Sequence, residues 1–147
     1  MVGGEYGAAI ERLGGQLRCC RRLRAYLRLP DWVATRKRDA VFLLASCGDR
    51  ALPALREALK VSDKNVRLMA IYALCVQGKT AVPALCNVLD DPDADIRRSA
   101  AWALGKIGTG AGSAIPVLKR CLEDEDESVR AAAAEALKKI RGSVPQE

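Results

Sequence analysis

The chain contains no histidine. Histidine is the side chain that most often acts as a general acid or base near neutral pH, so histidine-based acid–base catalysis is excluded. Aromatic residues make up only 4% of the chain, whereas hydrophobic residues of all kinds make up 50%. The core must therefore consist mainly of alanine, leucine, valine and isoleucine, a composition that suits closely packed helices.

Long apolar runs are also missing from the sequence. No segment approaches the roughly 18 consecutive apolar residues of a membrane span. Residues 1–10 lack the basic start and following apolar run of a signal peptide. We therefore expect a cytoplasmic protein that has no membrane partner.

The six cysteines show no spacing that indicates a disulfide framework or a metal site, and no pair has the Cys-x-x-Cys arrangement. Most of them occupy positions where a helix would place a small apolar residue. We expect reduced thiols in a reducing compartment. A redox or thiol-addition role is the alternative. The cysteines are Cys19, Cys20, Cys47, Cys75, Cys86 and Cys121.

What the chain does contain is a repeated unit of a short apolar run, an acidic turn, a longer apolar segment and a glycine. Five columns of residues recur with the same steps of 30 and 33 residues. Each unit cannot bury its apolar face alone but can bury it against a neighbour, so the repeat indicates stacked helical hairpins. The columns are Pro53, Pro83 and Pro116; Asp63, Asp93 and Asp126; Arg67, Arg97 and Arg130; Ala70, Ala100 and Ala133; and Leu74, Leu104 and Leu137.

The periodicity predicts the position of each helix. First helices are expected at 52–60, 82–89 and 115–122, each with a proline in its first turn, and second helices at 64–77, 94–107 and 127–140. The expected organisation is a flexible N-terminus or partial capping helix at 1–15, a degenerate basic repeat at 16–50, and three repeats within 51–143 (51–80, 81–113 and 114–143), followed by a tail at 144–147.

One face of each second helix is predicted to form the core, because its residues recur at helical spacing and are apolar apart from Gln77. These residues are Val66, Ala70, Ala73 and Gln77; Ile96, Ala100, Ala103 and Ile107; and Val129, Ala133, Ala136 and Ile140.

Acidic residues precede each second helix, where they can accept hydrogen bonds from free backbone N–H groups. Asp90, Asp91, Asp93 and Asp95 superficially resemble a calcium loop, but the glycine and final glutamate of an EF-hand are absent, so we expect no metal. Each column aspartate stands four residues before the column arginine, as in Asp93 and Arg97, which predicts ion pairs within each second helix.

The opposite face of the second helices is the predicted partner-binding surface. Aromatic and arginine side chains there are the residue types enriched at binding hot spots. One column of this face reads Phe42, Tyr72, Trp102 and Glu135. The alternative is that the aromatics fill the seam between adjacent repeats. The predicted binding residues are Arg38, Phe42, Leu68, Ile71, Tyr72, Arg98 and Trp102.

Positive charge is concentrated near the N-terminus. Residues 1–50 contain 10 Lys/Arg against 5 Asp/Glu, whereas residues 51–147 contain 14 against 13. This asymmetry allows an anionic partner, and nucleic-acid binding is the alternative function. A solvated helix face is the other interpretation. The residues concerned are Arg18, Arg21, Arg22, Arg36, Lys37 and Arg38.

The unit at 82–108, which runs from Val-Pro-Ala-Leu to Trp-Ala-Leu-Gly-Lys-Ile-Gly, resembles the HEAT repeat, in the short variety named after phycobilisome lyases. The resemblance covers 51–143 well and 16–50 weakly. It implies an all-α, right-handed α–α superhelix, a HEAT-like solenoid of about four helical hairpins. It also implies a non-catalytic scaffold or adaptor without a cofactor, which binds a protein partner or is a subunit of a larger complex.

Some HEAT-like proteins are enzymes. Deoxyhypusine hydroxylases need His-Glu pairs for a di-iron site, which a chain without histidine cannot provide. The resemblance to phycobilin lyases makes tetrapyrrole handling a further alternative, although no residue of this sequence indicates it specifically.

Overall fold

The computed structural model of the protein describes Val41 and residues 44–142. This part of the chain consists of α-helices and short 3₁₀ segments and contains no strand, which confirms an all-α helical repeat solenoid. The α-helices are α1 (Leu52–Ala58), α2 (Lys64–Gln77), α3 (Val82–Val88), α4 (Ala94–Ile107), α5 (Ile115–Arg120) and α6 (Glu127–Arg141). The 3₁₀ segments are Gly48–Ala51, Gly78–Ala81, Gly108–Ala114 and Cys121–Glu123.

Short and long helices alternate, so these elements form three successive hairpins, α1–α2, α3–α4 and α5–α6. The second helices lie within one residue of their predicted bounds. The first helices start where predicted but end one or two residues early; α1 and α3 are followed by turns, and α5 is followed by the 3₁₀ segment Cys121–Glu123. The degenerate repeat predicted at 16–50 lies almost wholly outside the described residues.

Capping aspartates explain where the second helices begin. The carboxylate of Asp63 accepts a hydrogen bond from the backbone N–H of Asn65 at 2.8 Å. Asp93 and Asp126 accept equivalent bonds from the residues two positions later, at 2.9 and 2.8 Å. Each bond satisfies a donor that has no partner within the helix. The predicted capping role is therefore confirmed.

Glycines explain where α2 and α4 end. Gly78 and Gly108 both have φ of 69°, a left-handed conformation that costs glycine little and other residues considerably more. Gly48 precedes the first hairpin at the equivalent repeat position and has φ of 62°.

The core lies along the predicted alanine-lined faces. Ten of the twelve predicted core residues are buried, and Ala70, Ala100 and Ala133 are fully so. The exceptions are Gln77 and Ile107, which are half-buried at the ends of α2 and α4. Gln77 donates a hydrogen bond from Nε2 to the carbonyl oxygen of Ala45 at 3.2 Å, a bond that spans two neighbouring repeats.

The second helices pack in a row, with α2 against α4 and α4 against α6. Helices α4 and α6 lie very close together at Gly105, which is buried in α4. A Cβ atom at Gly105 would lie 2.9 Å from the Cα atom of Ala136 and 3.1 Å from its Cβ atom. Helix α6 can therefore lie this close to α4 only because residue 105 has no side chain.

A buried arginine joins the second and third hairpins. Arg97 is 7% exposed, and its Nε and Nη2 atoms donate to the two carboxylate oxygens of Asp124, each at 2.9 Å. Its Nη1 atom donates to the carbonyl oxygens of Asp91 and Pro92 at 2.9 and 3.1 Å. The side chain thus connects the acidic turn of its own hairpin with the acidic turn of the next.

This arrangement shows that the prediction of aspartate–arginine pairs within each second helix was wrong. Arg97 pairs with Asp124 rather than with Asp93, and Arg67 pairs with Asp91 of the next hairpin, at 3.6 Å between Nη1 and Oδ2. The column aspartates accept bonds from backbone N–H groups at the helix starts, and the long arginine side chains reach across the repeat interface instead.

One stretch of the described chain passes a test of length and composition for a membrane span. Lys64–Val88 has 25 residues and includes an 18-residue window with a mean hydropathy of 1.4. It comprises two helices, α2 and α3, separated by the 3₁₀ segment Gly78–Ala81, which begins at the left-handed Gly78, and 44% of the window is buried within the protein. A single window of this kind is weak evidence for a span, and the absence of a membrane partner stays a prediction.

Removing the carboxylate that Arg97 binds should destabilise the stack. We expect Asp124→Asn to lower the free energy of unfolding at pH 7 by about 1.5–3 kcal/mol, because it weakens hydrogen bonds between charged, largely buried groups. Urea unfolding followed by circular dichroism measures this. The matched control is Asp90→Asn, whose exposed side chain lies 3.4 Å from Arg120, and its effect should stay within about 0.5 kcal/mol.

The same pair predicts a pH dependence. The hydrogen bonds from Arg97 hold the pKa of Asp124 below its ordinary value of 3.8, despite the opposing effect of burial. A depressed pKa contributes stability that is complete above the unfolded value and is lost as the pH falls through the folded value. The stability difference between wild type and Asp124→Asn should therefore shrink below about pH 4. A difference that is constant down to pH 2 would contradict this assignment.

Adding a methyl group at the closest helix contact should also destabilise the protein. We expect Gly105→Ala to lower the free energy of unfolding by about 1–3 kcal/mol, because the new Cβ overlaps backbone atoms of α6, although alanine has the higher helix propensity. The control is Gly112→Ala, where a Cβ would meet nothing within 4 Å. Equal thermal stability of the two variants would show that α4 and α6 are not in close contact.

Candidate functional site

An aromatic pair lies on the second helices of neighbouring hairpins. Tyr72 of α2 and Trp102 of α4 pack edge to face, with ring centroids 5.4 Å apart and an interplanar angle of 68°. Tyr72 is 54% exposed and Trp102 is 37% exposed. The rings therefore pack across the seam between repeats and still present surface to solvent, and a binding role for them stays a prediction.

Beside this pair lies an open groove of about 410 Å³. Its aromatic wall comes from α2 and α4, and α6 contributes small residues that leave space in front of the rings. Aromatic side chains bury a large area at low entropic cost, so a groove of this kind suits an apolar side chain of a partner. The lining residues are Tyr72, Arg98, Ser99, Trp102, Ser128, Ala131, Ala132 and Glu135.

Charges of both signs line the groove. Arg98 lies 3.1 Å from Asp95 on its own helix, and Glu135 lies 2.6 Å from Lys139. The hydrogen bond from Lys139 lowers the pKa of Glu135, so this carboxylate is ionised near neutral pH. The ammonium group of Lys106 lies 5.4 Å from the ring centroid of Trp102, within range of a cation–π interaction.

The structure brings together three of the predicted binding residues, Tyr72, Arg98 and Trp102, and it adds Glu135 of the predicted aromatic column. Leu68 is half-buried and packs against the core. Arg38 and Phe42 lie outside the residues whose side chains the structure describes. Whether any of these residues contacts a partner stays a prediction.

Ile71 was wrongly placed on the exposed face. It is fully buried, and so is Ala101, its equivalent in the next repeat. This helix position faces into the stack, where adjacent second helices cover it. Residue spacing within one helix does not reveal the neighbouring helix that packs beside it. Because Ile71 is fully buried, it cannot contact a partner.

Two groove residues, Ser99 and Ser128, and the neighbouring Lys106 were not identified from the sequence. Lys106 follows Trp102 by four residues, a spacing that places both on one side of α4 and could have indicated the contact. Ser99 and Ser128 carry no comparable signal, because each stands in a different repeat and neither belongs to a conspicuous column.

The basic residues proposed for nucleic-acid binding all lie outside the described part of the chain. They are Arg18, Arg21, Arg22, Arg36, Lys37 and Arg38. Within the groove, Arg98 and Glu135 carry opposite charges. The groove therefore differs from a basic surface that binds phosphate groups.

The acidic residues and cysteines of the described chain bear on the metal and thiol alternatives. Within residues 44–142, no group of three or more Cys, Asp or Glu side chains is placed to hold a metal ion. Burial raises the pKa of the Cys75, Cys86 and Cys121 thiols. A raised pKa disfavours the thiolate, which is the reactive form of cysteine.

Comparison with known families agrees with this geometry. Residues 82–146 match the family described as HEAT repeats, and residues 37–60 match the PBS lyase HEAT-like repeat. The two matches do not overlap and together span more than half of the chain. No curated protein matches the sequence. The repeated helix bounds, the packed row of second helices and the two family matches together show that this chain contains HEAT repeats.

Proposed function

We propose that this protein is a non-catalytic adaptor that binds a protein partner in the groove beside Tyr72 and Trp102. The observation that carries the proposal is the exposed aromatic pair, which lies in a groove with Arg98 and Glu135 at its rim. An exposed cluster of large aromatic residues is uncommon on a surface that has no partner.

The packing of the helices supports the choice of this face. Among the described elements, the second helices α2, α4 and α6 contact one another extensively, whereas the first helices contact mainly their own hairpins and the 3₁₀ segments. In a curved stack, the row with the closer helix spacing lies on the inner side. Extended inner surfaces of this type are the usual binding surfaces of repeat proteins.

The groove also suggests the chemistry of the bound segment. Its aromatic wall favours an apolar or aromatic anchor, while Arg98 and Glu135 favour opposite charges at two places along the segment. Val76, which follows Tyr72 by one helical turn and is 75% exposed, extends the apolar strip along α2. A peptide segment with an apolar centre and flanking charges of both signs meets these requirements.

Truncation of the aromatic anchors should weaken partner binding without unfolding the protein. The partner is first recovered with a tagged full-length chain from the native host and is then purified. We expect Tyr72→Ala and Trp102→Ala to weaken its binding by about tenfold or more each, as for aromatic hot spots. Isothermal titration calorimetry measures the affinity, and circular dichroism verifies the helix content.

Arginine substitutions provide a matched control for the charged rim. Arg98→Gln removes a charge at the groove, whereas Arg56→Gln removes an exposed charge from the first helix α1. Only the former should weaken binding. Unchanged binding by the Tyr72 and Trp102 variants, with the fold intact, would show that the partner uses another surface.

The two alternative functions make different predictions. Nucleic-acid binding through the N-terminal arginines requires an affinity for DNA or RNA that falls steeply with salt concentration. Tetrapyrrole handling requires a change in the absorbance of bilin when the protein is added. If either kind of binding is observed and Trp102→Ala does not change it, that function would replace the adaptor function proposed here.

A further inference from the structure

The outer surface of the third hairpin repeats features that the first two hairpins bury. The first two arginines of the repeated arginine column lie at the interface between their own hairpin and the next. There Arg97 binds Asp124 and Arg67 approaches Asp91. Arg130 is the third arginine of this column. The surface formed by Leu122, Arg130, Ala134 and Lys138 is here named the end face.

Arg130 adopts the same position relative to its own turn as Arg97 does. Its Nη1 atom donates to the carbonyl oxygens of Asp124 and Glu125 at 2.8 and 3.1 Å. The equivalent atom of Arg97 donates to the two corresponding carbonyls at 2.9 and 3.1 Å. The guanidinium group is thus held in the orientation that, in Arg97, binds a carboxylate of the next hairpin.

The remaining donors of Arg130 have no carboxylate partner within residues 44–142. In Arg97, Nε and Nη2 both donate to Asp124, whereas no bond from the same atoms of Arg130 to a described residue is formed. The half-buried Arg130 side chain is therefore oriented for bidentate binding of a carboxylate.

Exposed apolar surface accompanies this arginine. Leu122 is 40% exposed, but its equivalent one repeat earlier, Leu89, is only 2% exposed. Ala134 is half-buried, whereas its equivalent Ala101 is fully buried. Both residues are more exposed than these equivalents because no described hairpin covers them.

Lys138 limits what can bind the end face. The equivalent positions in the preceding repeats hold the small residues Cys75 and Gly105, and α6 packs directly on Gly105. A lysine at this position prevents a further helix from packing as closely as α6 packs on α4 at Gly105, and it adds positive charge. An acidic turn that contacts Arg130 and Leu122 does not need so close an approach.

We propose that the end face binds an acidic turn at the start of a helix in a partner protein, with a partner carboxylate bound by Arg130 as Asp124 is bound by Arg97. The Arg97–Asp124 pair in the same molecule provides the geometric template, and the charges of Arg130 and Lys138 provide the complementarity. This surface differs from the aromatic groove, and the proposal is independent of the function assigned to that groove.

The test uses the full chain and a fluorescein-labelled synthetic peptide with the sequence of residues 122–136, which contains the acidic turn that Arg97 binds. Fluorescence anisotropy should show binding that Arg130→Gln weakens by about tenfold, the expected effect of losing a bidentate charged contact. The matched control Arg120→Gln removes an exposed charge that is paired with Asp90 of the preceding hairpin, and it should change the affinity less than about twofold.

A peptide in which Asp124 is replaced by asparagine completes a double-mutant cycle. This peptide should bind wild type about tenfold more weakly but should bind the Arg130→Gln protein as the unmodified peptide does. The comparison of the two peptides on wild type does not depend on the stability of any variant. The proposal would be overturned if the peptide did not bind or if Arg130→Gln bound it as tightly as wild type. It would also be overturned if the effects of the two substitutions were independent.

Two other occupants of the end face give distinct results, and each would overturn the proposal. A second copy of the chain would produce self-association in analytical ultracentrifugation that Arg130→Gln abolishes. The chain's own residues 143–147 would compete with the peptide, so truncation after Gly142 would strengthen peptide binding several-fold.

Discussion

A hairpin of this protein can bury the alanine-lined face of its second helix only against the second helix of a neighbouring hairpin. The rest of the structure depends on this constraint. Small residues must line the contact, and α4 approaches α6 so closely that residue 105 has no room for a side chain. The few aromatic residues follow from the same requirement, because rings between the second helices would hold them apart. Tyr72 and Trp102 therefore pack at the edge of the seam, where they remain partly exposed.

Charged residues determine how one hairpin is positioned on the next. Asp93 caps α4 and also lies 3.1 Å from Lys64 of the preceding hairpin, so one carboxylate both starts a helix and contacts a neighbour. Arg97 binds the carbonyls of its own turn and the carboxylate of the next. The largely buried Arg97–Asp124 pair contributes less to net stability than to positioning, because desolvation offsets much of its attraction. In a stack of similar units, a specific pair at each interface distinguishes the correct register from a shifted one.

The sequence predicted the helices and most of the core, because proline, aspartate and glycine mark helix ends and the apolar spacing of α4 and α6 identifies their buried faces. It could not predict contacts that depend on the distance between repeats. Arg97 was assigned to Asp93 by helical spacing, although its partner Asp124 is 27 residues away. Ile71 was assigned to the surface for the same reason, since only the neighbouring helix buries it. The aromatic column was identified because it follows the repeat period, whereas Ser99 and Ser128 join it only through the packing of α4 against α6.

Mutual burial of neighbouring hairpins also implies that their stabilities are coupled, as in a one-dimensional array with nearest-neighbour interactions. The most direct test is native-state hydrogen exchange of the Ala133→Gly variant, since Ala133 is fully buried in α6 and glycine destabilises a helix interior by about 1 kcal/mol. The stacking account predicts that amides of α4 lose protection together with those of α6, because α4 buries its face against the destabilised helix. Loss of protection confined to α6 would show that the hairpins fold independently and would contradict the account.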